Sequence, residues 1–165
     1  MSKYYSTKTY GTDRGLSCCF RQWRATHSHC SLLHGYSIGI KLVFESDTLD
    51  EMNWVMDFGG LKAFKDWADW MFDHTLLIAN DDPEIERFKN LDGICDLRII
   101  EGTGCEKFAE TAYSMMNLII TNFQKNKSIT INGVEYKPRY QVGSGVRVKS
   151  VEVFEHAGNS AIYEG

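Results

Sequence analysis

Cys30-Ser31-Leu32-Leu33-His34-Gly35-Tyr36 sets a thiol and an imidazole four residues apart at the mouth of a strand. His27 and His29 lie just upstream. A thiol able to act as nucleophile or acid, among imidazoles able to hold a metal, points to a site more than to packing. The bland alternatives are a Cys30 buried as a small hydrophobe and histidines solvated in a loop.

Strands and helices must position these groups, and the hydrophobic pattern outlines them. Tyr36, Ile38, Ile40, Leu42 and Phe44 alternate with polar or small residues, the period of a half-buried strand whose face His34 extends. A preceding strand is expected over Leu16 to Arg24, with the Cys30 segment connecting the two. From Gly60 to Phe72 the spacing changes to three and four, which predicts an amphipathic helix. A second, more buried helix is expected from Cys105 to Gln124, carrying Phe108, Ala112, Met115, Ile119 and Phe123 on one stripe. The stretch between them, Ala79 to Arg98, is acidic and rich in turn residues.

The C-terminal third returns to strands. Asn132-Gly133 between Ile129–Ile131 and Val134–Tyr136 is a two-residue hairpin signal, in a segment of about 125–142. Val146 and Val148 have one parity and Val151 and Val153 the other. A bulge near Lys149-Ser150 would bring all four to one side. A short last strand is expected over Ser160 to Glu164. This order predicts an α+β fold in which a four-stranded antiparallel sheet is backed by two helices, with an extra hairpin.

The 165 residues fit one domain with a sizeable core, without linker or internal repeat. A net charge of -4, with Lys and Arg scattered, argues against a nucleic-acid partner. The apolar runs are too short to span a membrane. Five cysteines form no CxxC pair, and Met1 to Tyr10 lacks the apolar run of an export signal, so a reduced, cytoplasmic chain is expected.

Five blocks, from about Phe20 to Tyr163, resemble in the correct order the family of 6-pyruvoyltetrahydropterin and 6-carboxytetrahydropterin synthases. Cys30 to Tyr36 resembles its C-x3-H-G-H, and Val55-Met56-Asp57-Phe58 with Leu61-Lys62 its V-x-D-F-x-x-L-K. Phe72-Asp73-His74-Thr75-Leu76-Leu77 resembles L-D-H-x-x-L-N. Thr103 to Ala109 resembles P-T-x-E-N-x-A, with Glu106 and Ala109 matching outright. Val151-Glu152-Val153-Phe154-Glu155, then Ala161 and Tyr163, resembles V-x-V-x-E-T and a final strand. The resemblance implies a tunnelling fold (T-fold) and assigns roles. Cys30 is the proton-transfer thiol, with His74 its partner and Asp73 orienting His74. Glu155 grips the pterin ring, since one carboxylate accepts from two adjacent donors, and Glu106 adds a contact at the second helix. Each has a plainer alternative: a histidine favoured by a helix C-terminus, a solvated strand end, a helix N-terminal charge.

The chain departs from that pattern at the metal. The family holds zinc with one histidine four residues after a first-strand phenylalanine and two from H-G-H. Here Arg24 stands at the first position and Tyr36 at the last. Either His27, His29 and His34 rebuild the centre as three imidazoles with an open position, or the metal is gone and Arg24 supplies fixed positive charge. The rebuilt site is the expectation adopted, with Zn2+ as cofactor.

The resemblance implies a lyase acting on 7,8-dihydroneopterin triphosphate with loss of triphosphate, closer to the branch that forms 6-carboxytetrahydropterin toward queuosine-type 7-deazaguanines. The competing expectation is a pterin-binding paralogue without turnover. Unpaired sheet edges and the resemblance together imply a homo-oligomer, a trimer-based hexamer with sites between subunits.

Overall fold

The computed structural model describes residues 2–165. In chain order the strands are β1 (Tyr4–Tyr10), β2 (Leu16–Phe20), β3 (His34–Ser46), β4 (Thr75–Ala79), β5 (Leu97–Ile100), β6 (Ile129–Ile131), β7 (Val134–Tyr136), β8 (Arg147–His156) and β9 (Asn159–Tyr163). The helices are α1 (Lys62–Phe72), the short α2 (Ile85–Lys89) and α3 (Cys105–Gln124).

β3 is the spine. Its alternation holds as read, and Ile38, Ile40, Leu42 and Phe44 are fully buried on the inner side. One edge of β3 pairs antiparallel with β2 over 34–38 and with β1 over 40–46, while β8 covers the other edge. The antiparallel four expected from sequence stand in the order β2-β3-β8-β9. The sheet is wider than those four: β1 continues it along β3, and β4 and β5 add in parallel beyond β2, giving seven strands.

β1 and β2 are two halves of one edge, interrupted where Gly11–Gly15 loops out opposite the single residue Gly39. A Cβ on Gly39 would lie 3.2 Å from both the Tyr10 carbonyl oxygen and the Thr12 nitrogen, so a side chain here would push the loop back by a few tenths of an ångström. β2 stops at Phe20, short of the expected Arg24, where Arg21 turns into a buried pair with Asp82.

In β8, Ser150 pairs with Val43 and Val148 with Phe44, so Lys149 is the extra residue of a bulge. Val146, Val148, Val151 and Val153 are all buried as a result. The hairpin of β6 and β7 forms around Asn132 (φ 50°) and Gly133 (φ 79°), two positive φ values that suit a type I′ turn. The Tyr136 hydroxyl ties it to α1 by donating to Asp66 at 2.9 Å.

α1 and α3 cover the inner face of the sheet. Phe20, Phe72 and Phe108 are fully buried there, with Phe108 edge-on to Phe20 (5.0 Å between ring centroids) and to Phe72 (5.4 Å). These rings close the core directly beneath the end of the sheet that carries Cys30 and Glu155.

Candidate active site

The Cys30 segment is short and held at both ends. His29–Ser31 form one 3-10 turn, in which the Ser28 hydroxyl accepts from the Cys30 N–H at 3.2 Å. The Gln22 N–H donates to the Cys30 carbonyl at 2.9 Å, fixing the turn against the chain leaving β2. Cys30 is half-buried and all five cysteines are free thiols.

Tyr36, on the inner face of β3, lies among the acids of this end. Its hydroxyl is pushed up, first by burial and then by the charges of Glu155, Cys30 and Cys105. Glu155 is the extra residue where the register of β8 with β9 shifts between Phe154 and His156, and it lies close enough to Tyr36 and Cys105 for its charge to act on both. Cys105 opens α3 beneath it. Burial first, then the Glu155 and Glu106 charges and an S–H donated to Glu155, push the Cys105 thiol up to about 12. Cys105 went unremarked in the sequence because it shares the apolar stripe of Phe108 and Ala112. Its one legible signal was its place beside Glu106 in the helix's first turn.

No side chain caps α3: the residue before it is Gly104, at φ 110°. The free N–H groups of the first turn therefore favour negative charge at this end, where Glu106 is exposed and Glu155 half-buried. Glu155, the Cys30 thiol and the neutral Tyr36 and Cys105 acids thus form one group. It can grip a planar heterocycle through adjacent donors and exchange a proton with it.

Asp73 and His74 pair as a unit elsewhere. α1 ends at Phe72, Asp73 is extended, and His74 adopts φ 56°, turning the chain into β4. Asp73 Oδ1 lies 2.7 Å from His74 Nδ1, and the His74 side chain is 85% exposed. The His74 N–H donates to the Ser17 carbonyl at 2.6 Å, and His74 borders a groove with Ser17, Cys18, Cys19, Gly35, Tyr36, Ser37 and Thr75. Ser17, Cys19, Gly35 and Ser37 alternate with Leu16, Cys18 and Ile38, which are buried in the core, so these four and the groove they floor are on the outer face. Within one chain the structure brings Cys30, Tyr36, Cys105 and Glu155 together. It leaves Asp73–His74 on the far side of the sheet.

The three-histidine zinc site expected of His27, His29 and His34 is not formed. Among the described residues no three His, Cys, Asp or Glu side chains make a metal-holding group. His29 lies in the 3-10 turn, so the strand parity that would aim it with His27 does not apply, and both are exposed. His34 turns its Nδ1 to the Leu32 carbonyl at 2.8 Å and lays its ring on Phe20, 4.8 Å between centroids. The residues of one chain therefore do not fit the metal. Arg24 does not replace its charge either. Its guanidinium, in a side chain 64% exposed, stacks on Trp23 at 4.1 Å and pairs with Asp81 at 2.9 Å, away from the Tyr36 group.

A family model described as 6-pyruvoyl tetrahydropterin synthase matches residues 12–165. A 6-carboxy-5,6,7,8-tetrahydropterin synthase of Rickettsia typhi is 37% identical over 57 residues, which are 34% of this chain and 41% of that protein. Its counterpart in Rickettsia felis is 33% identical over 66 residues, 39% and 48% of the two chains. The chain thus spans less than half the length of these curated relatives. Among solved structures, an uncharacterized protein of Wolinella succinogenes superposes with a TM-score of 0.73 at 18% identity, over 100% of this chain and 99% of the other. The 6-pyruvoyl tetrahydropterin synthase of Plasmodium falciparum does so with a TM-score of 0.67 at 13% identity, again over 100% and 99%. At such identities the superpositions establish the fold, and that fold is the expected α+β T-fold.

Proposed function

The chain belongs to the 6-pyruvoyl tetrahydropterin synthase family, and from that premise we propose that it is a lyase acting on the side chain of a reduced pterin. The substrate is 7,8-dihydroneopterin triphosphate; one water is consumed and triphosphate is eliminated. The bond between the first and second side-chain carbons breaks, so that the outer two leave as acetaldehyde. The product is 6-carboxy-5,6,7,8-tetrahydropterin, on a route toward 7-deazaguanine compounds. The product follows the names of the Rickettsia relatives.

The observation that carries this reading is the grouping of Cys30, Tyr36, Cys105 and Glu155 around one uncapped helix N-terminus. Glu155 accepts from the pterin 2-amino group and its neighbouring ring N–H, which orients the ring and aims its side chain toward Cys30. Cys105, held protonated chiefly by burial, sets a neutral group beside Glu155. The Cys30 thiol exchanges the proton on the carbon beside the side-chain hydroxyl. Tyr36, a neutral acid at this pH, offers a hydrogen bond to the oxygen on which charge develops. Asp73–His74, an imidazole with its tautomer set by a carboxylate, is the second proton carrier. It reaches the thiol from a neighbouring protomer.

That last step requires assembly. β1, β5 and β9 each have one unpaired edge, which supports a closed homo-oligomer, here taken as a trimer-based hexamer. No helix among the described residues is long and apolar enough to cross a membrane.

Incubation of the purified protein with 7,8-dihydroneopterin triphosphate tests the activity, with triphosphate release and pterin products followed by chromatography. Turnover is expected, lost in Cys30→Ala and kept in Cys95→Ala. The departures at Arg24 and Tyr36 favour a second reading, a pterin-binding protein without turnover. Tight binding of the pterin with no product would select it.

A further inference from the structure

Arg21 binds several segments near the site, and the proposed reaction does not use it. Its guanidinium forms two bonds with Asp82, Nε to Oδ2 at 2.8 Å and Nη2 to Oδ1 at 2.6 Å. The Asp82 side chain is 0% exposed and that of Arg21 19%. A carboxylate removed from water in this way is retained only with a matched partner, and Asp82 also accepts the Glu84 N–H at 2.9 Å. Arg21 stacks over Phe88 of α2 as well, which fixes the plane of the fork.

Four segments meet at this residue. The remaining guanidinium nitrogen, Nη1, donates to the Ser31 carbonyl at 3.5 Å, one residue past Cys30. The Arg21 carbonyl accepts from the Thr103 hydroxyl at 2.6 Å, two residues before Cys105 and α3. The next residue, Gln22, donates its N–H to the Cys30 carbonyl. Asp82 itself lies just beyond β4, the strand that begins after His74. One buried fork thus ties the end of β2 to the Cys30 turn, to the start of α3 and to the chain leaving β4.

We propose that Arg21 and Asp82 are positioning residues for the reaction: their buried pair sets the Cys30 turn at a fixed height against the α3 N-terminus, and so sets the distance from the Cys30 thiol to the ring held by Glu155. This inference rests on Cys30 being the reactive thiol of the proposed lyase. A purely structural pair would stabilise the fold and leave the Cys30 turn indifferent to its removal. Displacement of a reacting group by about 1 Å costs on the order of 100-fold in rate, so loosening the turn strikes kcat while the pterin grip, and with it KM, holds.

Two variants separate these cases. Arg21→Lys keeps a cation for Asp82 but has no second arm for the Ser31 carbonyl. Arg21→Met with Asp82→Asn removes both charges and keeps an acceptor for the Glu84 N–H. Each is expected to melt cooperatively, to lose kcat by roughly 10- to 100-fold with KM changed less than about threefold, and to alkylate faster at Cys30 with iodoacetamide. Mass mapping is expected to find Cys18 and Cys105 still unmodified, which a global loosening would not allow. Wild-type kcat and a wild-type Cys30 alkylation rate in both folded variants would overturn the proposal. If the unaltered protein turns over no pterin, the lyase reading fails by itself, and the Cys30 alkylation rates still decide whether the fork sets the turn.

Discussion

Two variants that are each inactive, Cys30→Ala and His74→Ala, are expected to restore each other when mixed within one oligomer. The expectation comes from the sheet. The Cys30 turn lies beside the inner-face residue Tyr36, whose hydroxyl feels both Cys30 and Glu155, and His74 borders the groove over Ser17 and Ser37. The backbone layer separates the two faces, and no rotamer change carries the imidazole through it. In the closed ring proposed above, each site would take its thiol face from one protomer and its imidazole face from the next. When the two variants are mixed in equal amounts, half the protomers keep Cys30 and half keep His74. Both intact faces then meet at about a quarter of the interfaces. Co-expression of differently tagged variants, purification through both tags and assay of triphosphate release would measure this, with about 25% of wild-type activity per interface expected. A doubly tagged oligomer no more active than either parent would refute the trans arrangement. The thiol and the imidazole would then have to meet within one chain, against the parity of β2 and β3.

Phe108→Ala removes the fully buried ring shared by Phe20 and Phe72 and is expected to cost about 3–5 kcal/mol in urea unfolding, with α3 the first element to lose protection from hydrogen exchange. Gly104→Ala forces a side chain onto φ 110° and puts its Cβ 2.6 Å from Gln22 Nε2. A loss of about 1–3 kcal/mol is expected in the same assay, and Gly60→Ala, with open space at its Cβ, should cost less. Cys18 and Cys105 are both pushed up to about 12, chiefly by burial, so above the ordinary thiol range the unfolded chain sheds protons that the folded chain keeps. Stability is therefore expected to fall as pH rises from about 8.5 toward 12. Thermal melts of Cys18→Ala and Cys105→Ala should show a shallower alkaline decline, and an unchanged slope in both would contradict the assignment.

Much of the scaffold was legible from neighbouring residues alone. The alternation of Tyr36 to Phe44, the parity change among the β8 valines, the Asn132-Gly133 turn and the spacing of the two long helices all depend on the local period of the chain. A strand or helix obeys that period wherever it lies. β4 was hidden because a strand buried on both faces has no alternation to show. β5 was hidden because four residues within an acidic stretch carry too little pattern. Cys30 stood out by its type and its spacing from the histidines, whereas Asp73, His74 and Glu155 became candidates through the family resemblance. Which of them share a face was not legible, since that follows from the pairing of β2 with β3 and of β3 with β8. The partners of Arg24 and Arg21 lie about sixty residues downstream in the loop after β4. A 3-10 turn at His29 cancelled the parity on which a histidine cluster would have depended. Period is a property of consecutive residues, whereas proximity between distant residues is created by register and packing, and only the folded chain supplies those.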